Sequence, residues 1–182
     1  MKATNLVKNR PRVLFYDTLG HDYTDGVVVY SLAELKKFWK KVYRNSFRII
    51  FRGLDHDADF PQVCKLVAAC GDMSFTVEEL DLFFSGGKPC SEFNDLIFRG
   101  RHYGVELIGV TQRPRGFGRG ITAMAKEFFI FSTREPDDLK YFSDRLGSEV
   151  VESIQTLPQY HYLEYLDYGN AEGKFEVKKD EL

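Results

Sequence analysis

A chain of 182 residues with 29 % charged and 15 % aromatic residues is large enough to bury a sizeable core and too apolar to stay disordered. Its formal net charge of −2 excludes a uniformly basic nucleic-acid coat, and no apolar run reaches the roughly 18 residues a membrane span needs. Cys64, Cys70 and Cys90 have no CxxC spacing, and no signal-like apolar run follows Met1, so a cytoplasmic chain with reduced thiols is expected.

Residues 1–12 carry Lys2, Lys8, Arg10 and Arg12 without an acid, which predicts a basic, solvated arm over residues 1–11. Arg12–Asp17 (RVLFYD) reads as a buried strand ending in an acid. A turn rich in glycine and aspartate follows through Gly26. Ser31, with Glu34 three residues on, is a capping box that opens a helix. Its apolar stripe is Leu32, Leu35, Phe38, Trp39 and Val42. The opposite face (Lys36, Lys37, Lys40, Lys41, Arg44) is a solvated surface that a phosphate backbone could also exploit.

Phe47–Arg52 (FRIIFR) is the next strand. Asp59 and Pro61 start a second helix with Phe60, Val63, Leu66, Val67 and Cys70 inward. Asp55, His56, Asp57 and Asp59 crowd the preceding loop without a metal-ligand spacing and read as caps and turns. Met73–Glu78 (MSFTVE) is a third strand, and Ser91 caps a helix running toward Arg101. Val105–Thr111 and Glu127–Ser132 are a fourth and a fifth strand. Pro136, Asp137 and Asp138 begin a helix stopped by Gly147, and Ser148–Gln155 is another. Tyr160–Leu166 and Lys174–Val177, joined by YGNAEG, form a β-hairpin.

Strands alternating with helices imply an α/β fold, a doubly wound and mostly parallel sheet with helices on both faces. One domain is expected over residues 12–178, followed by a charged tail over 179–182. That tail spells the retention address Lys179-Asp180-Glu181-Leu182, which without an entry signal is fortuitous.

Three constellations could carry chemistry. An apolar strand ending in Glu78-Glu79 has the pattern of a Walker B site, where the first acid holds the Mg²⁺ shell and the second polarises a water. The same pattern also fits an ordinary strand end. Gln112 stands at the tip of the fourth strand, where an amide can sense a γ-phosphate or simply cap the strand. Arg101, at a helix end, suits either an arginine finger or a surface ion pair. Around them Arg99, Arg101, Arg113, Arg115 and Arg119 gather within residues 98–120, against the single acid Glu106.

The order of capping-box helix, FRIIFRG, strand ending in EE and GRHYGVELIGVTQRP is similar to HerA/FtsK-type ATPases. It resembles most the small viral and plasmid members, including DNA-packaging and zonula-occludens-toxin-like proteins, from about Arg12 to Val177. The resemblance implies a RecA/HerA-like sheet. It also implies Glu78 as the Mg²⁺ acid, Glu79 as the catalytic carboxylate, Gln112 as the polar sensor and Arg101 as a trans-acting arginine.

One part of the family pattern is missing from residues 1–182. No GxxxxGKS or GxxxxGKT occurs, and Gly86-Gly87-Lys88 lacks the upstream glycine and precedes Pro89. In the family the strand and helix bearing that loop come before the segment that Arg12 begins, so a whole P-loop strand and helix are expected to be absent. The family strand lies beside the sensor strand and the one following it. Val105–Thr111 and Glu127–Ser132 are therefore expected to pair directly or to receive a strand from a partner.

Three functions follow. The first is a degenerate ATPase-like domain of a phage or mobile element, related to DNA packaging or translocation and unable to hydrolyse ATP alone. ATP and Mg²⁺ are then not expected to bind the isolated chain tightly. The second is an ATPase subunit completed by a P-loop from a partner ATPase or a second copy. The third is a nucleic-acid-binding module in which Arg113, Arg115 and Arg119 of RPRGFGRG meet DNA phosphates, against a plain surface loop.

Overall fold

The computed structural model describes residues 3–20, 23–85, 87–116, 119–167 and 174–179. It divides into two compact units, one up to Gln112 and one from Arg113 onward. The first unit holds α1 (Ala3–Leu6), β1 (Arg12–Tyr16), β2 (Val27–Val29), α2 (Leu32–Val42), β3 (Phe47–Phe51) and α3 (His56–Cys70). It continues with β4 (Met73–Val77), the short pair β5 (Phe84–Ser85) and β6 (Lys88–Pro89), α4 (Ser91–Arg99) and β7 (Val105–Gly109).

Five of its strands form a parallel sheet in the order β2-β3-β1-β4-β7. Parallel neighbours need long crossovers. Helices α2, α3 and α4 each fall between a strand and its successor in the sheet. β1 sits at the centre, and Val13, Leu14, Phe15 and Tyr16 are fully buried, as strands covered on both faces should be.

Local chemistry sets the helix starts. The Ser31 hydroxyl accepts the Glu34 N–H at 3.2 Å, while the Glu34 carboxylate accepts the Tyr30 N–H at 2.8 Å. Leu35 and Trp39 then point into the core. α3 begins earlier than Asp59 because Asp55 is its N-cap, accepting the Ala58 N–H at 3.1 Å. α4 is preceded by Cys90 as N-cap, so Ser91 is its first residue. At the other end of α3, the Trp39 indole and Arg12 guanidinium both donate to the Cys70 sulfur, at 2.9 and 3.0 Å.

Two local features escape the sequence reading. Val7, within the expected solvated arm, is fully buried and packs with Val13, Phe15, Tyr23 and Ile50. The Arg48 guanidinium donates to the Val7 carbonyl at 3.1 Å, and Arg10 pairs with Glu106 at 2.6 Å. Ala3, Leu6 and Val7 share one helical face, which the flanking Lys2, Lys8 and Arg10 mask in the sequence. β2 falls between the expected turn, which ends at Gly26, and the expected helix; its three valines lie along β3, an edge too short to show a period.

The turn from α3 into β4 is tightly built. Asp72 N–H donates to the Tyr103 carbonyl at 2.9 Å and Met73 N–H to the Gly104 carbonyl at 3.2 Å. Gly71 has φ +61°, and a Cβ there would lie 2.4 Å from the Tyr103 carbonyl oxygen. Gly71→Ala is expected to cost about 2–4 kcal/mol, combining left-handed strain with backbone overlap. Urea unfolding measures it; a loss below about 1 kcal/mol would show that this turn yields easily.

The second unit holds α5 (Arg119–Met124), β8 (Glu127–Phe131), α6 (Pro136–Leu146), α7 (Ser148–Gln155), β9 (His161–Leu166) and β10 (Lys174–Lys179). Its strands form an antiparallel sheet in the order β10-β9-β8. Ile130, Phe142, Val150, Ile154 and Leu163 are its core. The β9–β10 pair is the expected hairpin; its connecting residues 168–173 and the tail beyond Lys179 lie outside the described residues.

This arrangement corrects one expectation. β8 does not extend the parallel sheet and does not pair with β7. It pairs with β9, where Phe128 meets Tyr165 and Phe129 and Phe131 meet Tyr162, ring centroids 5.8–6.0 Å apart. Cross-strand aromatic pairs of this kind hold an antiparallel partner. Among the described residues no strand pairs with the outer edge of β7 or with that of β8.

Candidate functional site

Ligands of open α/β sheets bind beyond the carboxyl ends of the strands, and in the parallel sheet those ends carry the polar residues. Asp17 follows β1, Arg52 follows β3, and Glu78 and Glu79 follow β4. Asp17 is fully buried as a side chain. Its carboxylate accepts from Arg52 Nε at 2.8 Å and from the Gly20 N–H at 3.0 Å. The remaining arm of the guanidinium donates to the Tyr23 carbonyl at 2.7 Å. Tyr23 stacks on Phe15, centroids 4.1 Å apart, and its hydroxyl donates to the Glu78 carboxylate.

A continuous set of contacts therefore runs from Asp17 through Arg52 and Tyr23 to Glu78. Glu78 is itself buried, with its N–H donating to the Tyr16 carbonyl at 3.1 Å. Tyr16 lies beneath, in an aromatic cluster with Phe51, Phe60 and Phe83, and its hydroxyl is 3.3 Å from His56 Nδ1. Burial, helped by the nearby carboxylate of Asp59, pushes the Tyr16 phenol well above its usual range, so it stays neutral.

Glu79 is half-buried and has φ +43°, a left-handed backbone that is uncommon outside glycine. The chain holds it there through Leu80 N–H to the Val110 carbonyl at 2.8 Å and Val110 N–H to the Val77 carbonyl at 2.9 Å. These bonds tie the exit of β4 to the exit of β7. Thr111, next along, donates to Asp81 at 2.7 Å. Gln112 follows, exposed, at the same end of the sheet as the acidic pair.

Of the residues singled out from sequence, Glu78, Glu79 and Gln112 are thus brought to one end of one sheet. Arg101 is not: it is exposed in the turn before Val105, at the opposite end of β7. Five residues of strand separate the two ends, about 16 Å. Arg113 and Arg115 belong to the second unit, where the start of α6 holds them. Arg113 lies 3.5 Å from the buried Asp138 and 3.8 Å from Glu135, and Arg115 pairs with Asp137. Arg119 opens α5, and its side chain lies outside the described residues.

Sequence reasoning missed Asp17, Arg52 and Tyr23 as parts of this set. A signal for the first two was present. Each ends an apolar strand, and once those strands are neighbours in a parallel sheet the Tyr16–Phe51 register puts Asp17 beside Arg52. Nothing in the spacing marks Tyr23.

The same architecture occurs in solved structures. The genome packaging NTPase B204 from Sulfolobus turreted icosahedral virus 2, in complex with ATP-gammaS, superposes with a TM-score of 0.80. That match covers 98 % of this chain and 87 % of that one at 21 % identity. The chain shares the fold of this packaging NTPase. The complex of B204 with AMP gives a TM-score of 0.76 at 23 % identity, covering 98 % and 87 %. B204 described as the DNA-packaging ATPase from Sulfolobus turreted icosahedral virus gives 0.77 at 20 % identity, covering 97 % and 86 %.

In sequence, 61 residues are 39 % identical to the DNA double-strand break repair helicase HerA of Sulfurisphaera tokodaii, a stretch that is 32 % of this chain. It spans only 12 % of the length of that helicase. No protein-family model matches the chain.

The resemblance to HerA/FtsK-type ATPases implies a nucleotide with Mg²⁺. Mg²⁺ is held by one or two carboxylates together with substrate phosphates rather than by an all-protein cage. A buried acid at a strand tip, fixed by Tyr23, fits that demand, and Glu79 beside it fits the second acid. Among the described residues no cluster of three or more His, Cys, Asp or Glu could hold a metal unaided. Residues 1–182 also carry no phosphate-cradling GxxxxGKS or GxxxxGKT loop. No helix among the described residues is long and apolar enough to cross a membrane.

Proposed function

We propose that this chain is an ATPase-like domain serving DNA packaging or translocation in a virus or mobile element, and that residues 1–182 do not turn over ATP alone. The observation that supports the reading is the acidic pair Glu78-Glu79, anchored by Tyr23 and by the β4–β7 exit bonds, on a fold matched along 98 % of the chain by a packaging NTPase. Glu78 would face Mg²⁺, Glu79 would polarise the attacking water and Gln112 would report on the γ-phosphate. What is absent from these residues is a backbone cradle for the phosphates.

Phosphate release from Mg·ATP by the purified 182-residue chain is therefore expected at the blank rate, and Glu79→Gln leaves that rate unchanged. Turnover that Glu79→Gln lowers by about a hundredfold or more would overturn the inability and make the chain a complete ATPase. Anisotropy with labelled duplex DNA is expected to show binding that weakens as salt rises. No binding at about 50 mM salt would sink the DNA role.

A second reading has its own observation. β7 ends an all-parallel sheet, yet Leu107 and Ile108 are only half-buried and its outer edge is unpaired among the described residues. All-parallel sheets are normally covered on both faces. A strand from another chain, bringing a phosphate-binding loop with it, would complete both sheet and site. The arginine-loop reading is weakened by the acids of α6, which already neutralise Arg113 and Arg115.

A further inference from the structure

α2 and the residues just after it gather cations. Lys36, Lys37, Lys40, Lys41 and Arg44 lie opposite the buried Leu35 and Trp39, and all five are exposed. Elsewhere in this unit arginines are matched by acids: Arg10 by Glu106, Arg48 by Asp25 and Arg52 by Asp17. Among the described residues none of the five cations has a carboxylate partner. The acid of α2, Glu34, commits its carboxylate to the Tyr30 N–H at 2.8 Å. Lys36–Lys40, Lys37–Lys41 and Lys40–Arg44 are like-charge pairs one turn apart, each mildly destabilising to the helix. In a chain of net charge −2 this face is a local positive field that an anionic ligand relieves.

A cleft adjoins that face. It encloses about 400 Å³ between the edge strand β2 and α2, lined by Val29, Tyr30, Glu34, Lys37, Phe38 and Lys41. Tyr30 follows the carboxyl end of β2 and is 58 % exposed, a large aromatic surface left to solvent. Lys37 and Lys41 are one helical turn apart, with Cβ atoms about 6 Å from each other, a spacing that suits successive phosphates of one strand. In the order β2-β3-β1-β4 the cleft lies three strand spacings from the exit of β4, about 14 Å. It is therefore separate from the acidic pair.

We propose that the β2–α2 cleft and the basic face beside it bind single-stranded DNA, with Lys37 and Lys41 on the phosphates and Tyr30 under a base. The assignment rests on the DNA role given above and locates it on the chain. A cationic groove beside an aromatic platform is what a single strand requires, because its backbone is charged and its bases are open to stacking. A duplex offers phosphates but keeps its bases stacked inside, so it would use the lysines and leave Tyr30 idle. An acidic peptide would likewise meet the lysines without needing the ring. The cations of α2 suit this task better than Arg113 and Arg115, which the acids of α6 already hold.

The test is fluorescence anisotropy of labelled single-stranded and duplex DNA with the 182-residue chain across a salt series. The wild type is expected to bind the single strand more tightly than the duplex. Lys37→Gln combined with Lys41→Gln should lower the log–log salt slope for the single strand by about 1.4, two phosphate contacts at about 0.7 each. Tyr30→Ala should weaken the single strand about tenfold while leaving duplex binding unchanged. Lys126→Gln combined with Lys140→Gln removes the same charge from exposed sites elsewhere and should change neither. The substituted side chains are exposed and the Tyr30 N–H keeps its bond to Glu34, so circular dichroism should match the wild type. An unchanged slope in the lysine pair, an unchanged affinity in Tyr30→Ala, or binding of the duplex alone would each overturn the site while the DNA role stands. No binding of either DNA at about 50 mM salt would overturn both. Displacement of the single strand by polyglutamate of equal charge would give the face to acidic peptides and overturn the proposal.

Discussion

Arg52→Met is expected to destabilise the chain by about 3–5 kcal/mol, the range for removing one partner of a buried ion pair. The Asp17 side chain is fully buried and the Arg52 side chain only 18 % exposed, so solvent cannot replace the lost guanidinium. The change strips the Asp17 carboxylate of its charged donor and leaves it the Gly20 N–H alone. It also removes the donor to the Tyr23 carbonyl, loosening the turn that aims Tyr23 at Glu78. Equilibrium urea unfolding measures the loss. Adding Asp17→Leu to Arg52→Met removes the orphaned charge, so the double variant should recover much of the stability. A single-variant cost below about 1 kcal/mol, or no recovery in the double, would mean the pair is solvated.

Phe60→Ala carries a comparable expected cost, about 3–5 kcal/mol, for a different reason. Its ring is 2 % exposed, stacks on Phe83 with centroids 3.7 Å apart, and touches the edges of Tyr16 and Phe93 at 5.1 and 5.0 Å. Truncation opens a void between α3, α4 and the floor beneath the acidic pair. Such a void is filled only partly by relaxation, because three neighbours are themselves rigid rings. Leu54→Ala is the control. That side chain is 94 % exposed and its loss should change stability by less than about 0.5 kcal/mol. A Phe60→Ala cost as small as the control's would show that the cluster contributes shape without stability.

The strands β1, β3 and β4 were legible because each is a compact apolar run ending in a charge, and the start of α2 because Ser31 and Glu34 announce it. The acidic pair and Gln112 were legible as strand ends, and their convergence follows from parallel neighbours alone. The rest depends on contacts between residues distant in sequence. Val7 ends a short apolar stretch flanked by Lys2 and Lys8, and only the folded sheet offers it a pocket. Tyr23 reaches Glu78 across 55 positions. β8 reads like any α/β strand, and its antiparallel partner β9 decides its sheet.

The sheet order also governs how the chain assembles. β1 lies at the middle of the sheet, yet its two neighbours come much later: Arg12 pairs with Phe47, and Val13 with Ser74. Hairpins close locally and early, whereas each pairing here must wait for a crossover helix to bring a distant strand alongside. Until residues 73–77 arrive, the largely apolar β1, with Val13, Leu14 and Phe15, has one open flank in a growing or refolding chain. Folding of this unit should accordingly be slow for its size, with collapse preceding strand registration, and dilution or low temperature during refolding should favour the native product over association.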